Sequence, residues 1–336
     1  MTAGRKGMRC IRTAAILAAA TLVLAVSVLS CSTLKTSRPL VPMREYEKML
    51  VGSLFADYVG NENCLKACHV HDRNAAFLEK SVHGQQRVEG TGVPLVNCET
   101  CHGPGSEAVS ADYINQNNQC DTSKFIPIRE LPAAAQSLLC LKCHSAYSMV
   151  NVQFWQNSEH AMAEVSCPDC HKLHEGTRQK KQGREINDLC YSCHEGVRSQ
   201  FSLVSRHPLP EGLMLCSDCH DPHGTGNPGL LIAADEKTLC GNCHAQAIGP
   251  YTFEHADVTD ECITCHRVHG SMFADMLNYQ EPFLCLQCHT GHTDFGSPSA
   301  PRAGVKQAFY TRCTNCHSQI HGTDTRGPHP GSGLTQ

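Results

Sequence analysis

The longest apolar run of this chain lies near its start. Ala14 to Leu29 is a run of sixteen small and apolar residues, interrupted only by Thr21 and Ser27. Arg5, Lys6, Arg9 and Arg12 precede it with no acidic residue among them. A basic segment followed by a short apolar one predicts an export signal. Sixteen residues fall short of the roughly 20 that a membrane-spanning helix needs. The run ends in Val28-Leu29-Ser30-Cys31. That ending resembles a bacterial lipobox, in which Cys31 is diacylated and becomes the mature N-terminus. An ordinary cleaved signal and an uncleaved anchor are the alternatives. Ser32 follows where Asp commonly retains lipoproteins at the inner membrane, so outer-membrane anchoring is expected.

Beyond the signal the apolar runs are short. Ser32 to Pro42 is polar and holds two prolines, which predicts a tether. Leu50, Val51, Leu54, Phe55 and Tyr58 recur at helical spacing and predict a short docking helix. From Asn61 onward no alternation persists long enough to predict a sheet. Short segments stop at Gly and Pro clusters such as Asp221-Pro222-His223-Gly224, which predicts short helices joined by irregular chain. The Gly- and Pro-rich tail from Gly327 to Gln336 is expected to be mobile.

This region repeats itself. Cys-x-x-Cys-His occurs nine times, with Cys pairs Cys98/Cys101, Cys140/Cys143, Cys167/Cys170, Cys190/Cys193, Cys216/Cys219, Cys240/Cys243, Cys262/Cys265, Cys285/Cys288 and Cys313/Cys316. The adjoining histidines are His102, His144, His171, His194, His220, His244, His266, His289 and His317. A tenth site, Cys64-Leu-Lys-Ala-Cys68-His69, is one residue longer. The sites pair into five units beginning at Cys64, Cys140, Cys190, Cys240 and Cys285, with steps of 76, 50, 50 and 45 residues. The first unit carries an insertion around Gly103 to Leu139.

The motif places two thiols and one imidazole in a fixed relation. Residues three or four apart share a helical face, so the two thiols can reach the two vinyl groups of one porphyrin. The adjoining His then reaches the iron as proximal ligand. Zinc sites and redox dithiols also use Cys-x-x-Cys, but neither requires a His directly after the second Cys at every site. About ten covalent haems are therefore expected. At the stretched site, Cys64 and Cys68 still share a face, and haem attachment is expected there too.

The other histidines supply the second axial ligand. Apart from His329 in the tail, they fall two per unit: His71 and His83; His160 and His174; His207 and His223; His255 and His269; His292 and His321. Phe77-x-x-x-Ser81-x-His83, Phe154-x-x-x-Ser158-x-His160 and Phe201-x-x-x-Ser205-x-His207 share one local pattern. His174, His223, His269 and His321 follow a second motif directly. Bis-His ligation of all ten irons is the expectation, with the assignment of distal His to haem left open. Two imidazoles leave no iron position for substrate and favour a lower potential than His/Met. The nine methionines show no regular offset from the motifs and read as packing residues.

Composition fits this picture. The chain of 336 residues has 23 Cys and 21 His, but only one Trp and 6% aromatic residues. A chain of this length would normally fill its core with aliphatic and aromatic side chains. Large flat cofactors would fill it instead. Without the first thirty residues, 24 basic and 32 acidic residues remain, a net of -8, which argues against nucleic-acid binding. Outside the motifs, Cys10 lies in the signal, and Cys120 is expected to be a free thiol.

The ten motifs, their doubled arrangement and the export signal resemble the MtrA/DmsE family of decahaem cytochromes. The similarity is greatest from Gly249 to His255, from Cys262 through Ser271 to His289, and at Cys98 to Gly105. It extends from Asn61 to about Gly322. The resemblance implies a multihaem cytochrome c fold, mostly irregular with short α-helices. Its elongated haem wire would lie largely inside an outer-membrane β-barrel porin. That complex would join periplasmic or inner-membrane electron carriers to an extracellular multihaem cytochrome, for extracellular electron transfer. Related proteins usually carry a His shortly after the His-Gly-Pro-Gly segment. Here Ser106-Glu107-Ala108 has none, and His71 would replace it.

The expected organisation is a lipoprotein-type signal over residues 1–30, a lipidated tether and short helix over 31–60, a decahaem domain over 61–325 and a tail over 326–336. The expected function is electron transfer without catalysis. A multihaem nitrite or sulfur-oxyanion reductase and a haem-polymer subunit are the alternatives. The first usually exposes one iron, often with a modified motif, and no Cys-x-x-Cys-Lys occurs here. The second would need ligands between subunits.

Overall fold

The computed structural model describes residues 41–69, 73–117, 119–145, 152–175, 183–255, 260–289 and 312–325. The chain divides into two compact units, residues 1–48 and 49–336. Cys31, His71, His292 and His329 lie outside the described residues.

Most of the first unit also lies outside them; its described end enters the helix Met43–Met49, in which Lys48 donates to Glu45 at 3.0 Å. No helix follows over Leu50 to Tyr58, contrary to the spacing of its apolar residues. Gly52 adopts φ 68, which breaks helical geometry, and a Cβ there would meet Pro104 at 3.3 Å and Gly103 at 3.5 Å. Leu50 is buried, whereas Leu54, Phe55 and Tyr58 are exposed, Phe55 at 92%.

The larger unit is a succession of short helices and single turns. Its longest described helix, Ala133–His144, has 12 residues and ends in a motif. The described sheet is one antiparallel pair, Phe253–Glu254 with Gly322–Thr323, in which Phe253 opposes Thr323. Short helices are marginal by themselves, because nucleation is costly and few bonds repay it. Side-chain caps compensate. Ser81, Ser158 and Asp235 accept backbone N–H bonds at the starts of Val82–Gln85, Glu159–Met162 and Glu236–Gly241. Asn97 and Thr100 form a reciprocal cap at Cys98–His102.

Few large apolar side chains are buried. The main described cluster is Tyr191, Phe201 and Leu209, with Val197, Met214 and Cys216 against it. Leu213, Ile263, Met272 and Phe283 stand exposed beside or within motifs. Much of the packing is polar. Buried Glu99 accepts backbone N–H bonds from Val59, Gly60 and Gly105 at 2.9, 2.8 and 2.9 Å. This carboxylate joins the chain before the first motif to the chain after the second.

Candidate functional site: paired motifs and facing histidines

Each ordinary motif closes as one helical turn. His171, His194, His220, His244, His266, His289 and His317 donate their backbone N–H to the carbonyl of the first Cys four residues earlier, at 2.9–3.0 Å. The Cys98 and Cys140 motifs lie within the helices Cys98–His102 and Ala133–His144. The turn fixes the two cysteines and the histidine of each site before any cofactor is considered.

The two motifs of a unit meet at their first thiols. Cys64 and Cys98, Cys140 and Cys167, Cys190 and Cys216, Cys240 and Cys262, and Cys285 and Cys313 lie close enough for one thiol to perturb the ionisation of the other. Successive units meet at their second cysteines. Cys101 lies within electrostatic reach of Cys143, Cys170 of Cys193, Cys219 of Cys243 and Cys265 of Cys288. Contacts within and between units thus alternate, and they place the motifs in space in sequence order.

Cys316, expected as a thioether cysteine like the others, departs from this alternation. It is the second cysteine of the Cys313 motif, and its side chain is exposed. Its backbone N–H still bonds to the Cys313 carbonyl at 3.1 Å, which keeps the turn of the motif. The structure therefore keeps Cys316 within the turn of its own motif, but brings no second-cysteine partner to it among the described residues.

A polar side chain about one turn before each unit's first Cys holds the start of its second motif. Asn61 accepts the N–H of Cys98 at 2.9 Å, and Asn187 that of Cys216 at 3.0 Å. Glu236 accepts from Ile263 and Glu281 from Thr314, both at 2.9 Å. Gln136 accepts from the hydroxyl of Ser166, beside Cys167, at 3.2 Å. Sequence reading missed these five residues. Their signal was available: a polar Asn, Gln or Glu three or four positions before Cys64, Cys140, Cys190, Cys240 and Cys285.

The distal histidines reach across unit boundaries. His83 faces His144 and His160 faces His194, with ring centroids 5.9 and 6.1 Å apart. His207 faces His244 at 6.2 Å, and His255 faces His289 at 5.8 Å. In all four, the earlier histidine meets the first motif of the next unit. The reverse direction is also used. His174 faces His102, His223 faces His171, His269 faces His220 and His321 faces His266, at 5.9, 6.1, 6.2 and 6.2 Å. Each of these later histidines meets the second motif of the preceding unit. The other two proximal residues, His69 and His317, belong to the first and last motifs.

Carbonyl oxygens fix the ring nitrogens. A carbonyl only accepts, so an Nδ1 bonded to one must carry the proton. His160 donates Nδ1–H to Pro222 and His207 to Val268, both at 2.9 Å. Pro222 and Val268 precede His223 and His269, so the two ligand-bearing loops of a junction hold each other. His220 donates to Gly229 at 2.7 Å and His266 to Asp275 at 2.8 Å. Gly229 and Asp275 have φ of 65 and 57, a left-handed turn that Gly and Asp tolerate well. In each case Nε2 keeps its lone pair for a metal.

Electrostatics favour the neutral ring. Burial pushes His83, His102, His171, His269 and His321 below the usual imidazole range, and the facing histidine of each pushes further. Two rings at this spacing resist protonation together.

The arrangement fits haem iron. A first-row metal–imidazole bond is about 2 Å, so two rings on opposite faces of one metal place their centroids roughly 6 Å apart. All eight facing pairs lie at 5.8–6.2 Å. Each pair also has a Cys-x-x-Cys turn adjoining its proximal member. One site differs. Cys120, expected as a free thiol, is disulfide-bonded to Cys68, which was expected to hold haem together with Cys64. The insertion in the first unit carries Cys120 back to the stretched motif.

Tandem Cys-x-x-Cys-His turns with facing histidines define a multihaem c-type cytochrome. The family model described as doubled CXXCH motif matches residues 160–199, 207–249 and 255–294. The model described as cytochrome c554 and c-prime matches residues 106–172. Multiheme cytochrome MtrA of Shewanella baltica is 33% identical over 290 residues, 82% of this chain and 81% of that protein. The chain therefore belongs to the MtrA family of multihaem cytochromes. It binds multiple c-type haems covalently and carries electrons by means of them.

Proposed function

We propose that the protein is the exported cytochrome of an outer-membrane electron conduit, with ten bis-His haems in a row that follows the chain. The observation that carries this reading is the set of eight facing histidine pairs, every one joining adjacent units. The motif cysteines other than Cys68 would form the thioethers, and each facing pair would hold one haem iron through Nε2. When bound, the haem iron supplies reversible one-electron exchange between its ferric and ferrous states. The chain's part would be to offer the haem iron two protein nitrogens from each facing histidine pair, which would keep substrate off the metal. It also places consecutive sites within contact of one another, which favours exchange along the row. This supports a carrier over the nitrite or sulfur-oxyanion reductase alternative.

His71 and His292 complete the proposed ligand set at the terminal units. The domain limits at residues 30, 60 and 325 follow from the signal, the tether and the last repeat. Cys31 carries the lipid and holds the protein on the periplasmic side of the outer membrane. A porin-like β-barrel is the partner on that side, an extracellular multihaem cytochrome lies beyond it, and periplasmic or inner-membrane carriers exchange electrons at the other end. Among the described residues no helix is long and apolar enough to cross a membrane.

The test is reconstitution with the barrel partner in liposomes that enclose a reducible dye. External dithionite should reduce the dye only when cytochrome and barrel are both present. An assembled complex that leaves the dye oxidised, with turnover of nitrite or a sulfur oxyanion by the cytochrome alone, would overturn the conduit reading.

A further inference from the structure

The first motif differs from the other nine in spacing, and the structure shows where the extra residue goes. Cys68 donates its N–H to the Cys64 carbonyl at 3.0 Å, and His69 donates to the same carbonyl at 3.2 Å. The His-to-first-Cys bond seen at the ordinary sites is thus kept, but across five residues instead of four. The last turn widens and the relation between Cys64 and His69 survives. Cys64 is also buried against Cys98, the same first-thiol contact that the other four units make.

Cys68 is placed differently. It is bonded to Cys120, with Cα atoms 5.9 Å apart, inside the 4.4–6.8 Å that is usual for native disulfides. Cys120 is buried, and its surroundings hold it there. Asp121 donates its N–H to the Ala108 carbonyl at 3.0 Å, and Ile126 donates to the carbonyl of His102, itself a motif histidine, at 3.0 Å. The segment bearing Cys120 is the insertion that only the first unit has.

We propose that the first haem is held by a single thioether, through Cys64, with Cys68 and Cys120 joined as a structural disulfide that clamps the insertion onto the motif. This rests on the haem reading of the site. The Cys64 S–H adds across one vinyl group: a C–S bond forms, the hydrogen goes to the other vinyl carbon, and no electrons are lost. The second vinyl group stays an alkene. Cys68 and Cys120 together lose two protons and two electrons as their S–S bond forms. The acceptor is a disulfide-bearing protein oxidant of the exported compartment, which is reduced to its dithiol.

Intact mass and thiol alkylation of the purified mature protein test this, with modified positions mapped on peptides. The expected wild-type result is ten haems, no alkylation of Cys64, Cys68 or Cys120 before reduction, and alkylation of both Cys68 and Cys120 after phosphine reduction. Cys68→Ser should retain ten haems and expose Cys120 to alkylation without reduction, while Cys64→Ser should lose one haem. Ten haems in the wild type with Cys120 alkylated before reduction would mean two thioethers and overturn the proposal. Loss of a haem in Cys68→Ser would also overturn it. A wild type with nine haems, an alkylatable Cys64 and an intact Cys68–Cys120 bond would overturn haem attachment at this site alone. Fewer than nine would overturn the wider haem reading instead.

Discussion

Ligand exchange between units makes a prediction that neither motif counting nor sequence order makes. His269 follows the motif of the fourth unit, yet its ring faces His220 of the third at 6.2 Å. It also packs on Phe201 at 5.3 Å. Replacing it by Ala should therefore leave its own unit's haem at Cys262/Cys265 six-coordinate, because His321 faces His266. The altered iron should be the one attached at Cys216/Cys219. One site in ten is affected, so about a tenth of the haem should become high-spin in ferric optical and electron paramagnetic resonance spectra. The junction keeps its second pin, His207 with His244, and should remain assembled. Free imidazole should restore the low-spin signal. The site is identified by repeating His269→Ala in two backgrounds, one lacking the haem at Cys216/Cys219 and one lacking that at Cys262/Cys265. Only the second should still gain high-spin iron. High-spin signal gained in the first background, or none in either, would refute the cross-unit pairing.

Three further outcomes are expected. Gly224→Ala should destabilise the protein by about 1–3 kcal/mol in guanidinium titrations, because residue 224 has φ 112 and an added Cβ would lie 2.8 Å from the Phe154 carbonyl. Gly226→Ala, with open space around it, should stay within about 0.5 kcal/mol of wild type. Glu99→Ala should cost several kcal/mol, since a buried donor left unpaired costs about 1–3 kcal/mol and three N–H groups lose their acceptor. Glu99→Gln, which keeps one accepting oxygen, should unfold at an intermediate midpoint. Cys31→Ser should remove the protein from membrane fractions or stall its processing, as read by fractionation and mass. Wild-type protein wholly soluble in the periplasm would contradict lipid anchoring.

The cofactor class was legible in the sequence because covalent haem attachment is local chemistry. Two thiols and an imidazole within five residues fall on one turn whatever the rest of the chain does, and ordinary motifs such as Cys190–His194 and Cys285–His289 adopt that turn. The repeat was equally legible, since each unit reuses one local arrangement. Scarce sheet and short helices followed from the absence of sustained alternation. Local periodicity misled at Leu50 to Tyr58, where a positive φ at Gly52 overrode the spacing of the apolar residues. Contacts distant in sequence were out of reach. His160 finds His194 and the carbonyl of Pro222, His223 finds His171, and Cys120 finds Cys68 only when the chain folds back on itself. The tertiary structure alone decides these partners. His174, His223, His269 and His321 recur seven or eight residues after the first Cys of a second motif, a spacing that cannot distinguish service to their own unit from service to a neighbour. Packing does distinguish them, because the loop after each second motif is seated on the unit before it. At Gly224 and Gly270 that seat is so close to the Phe154 and Gln200 carbonyls that an added Cβ would force the neighbouring backbone to shift.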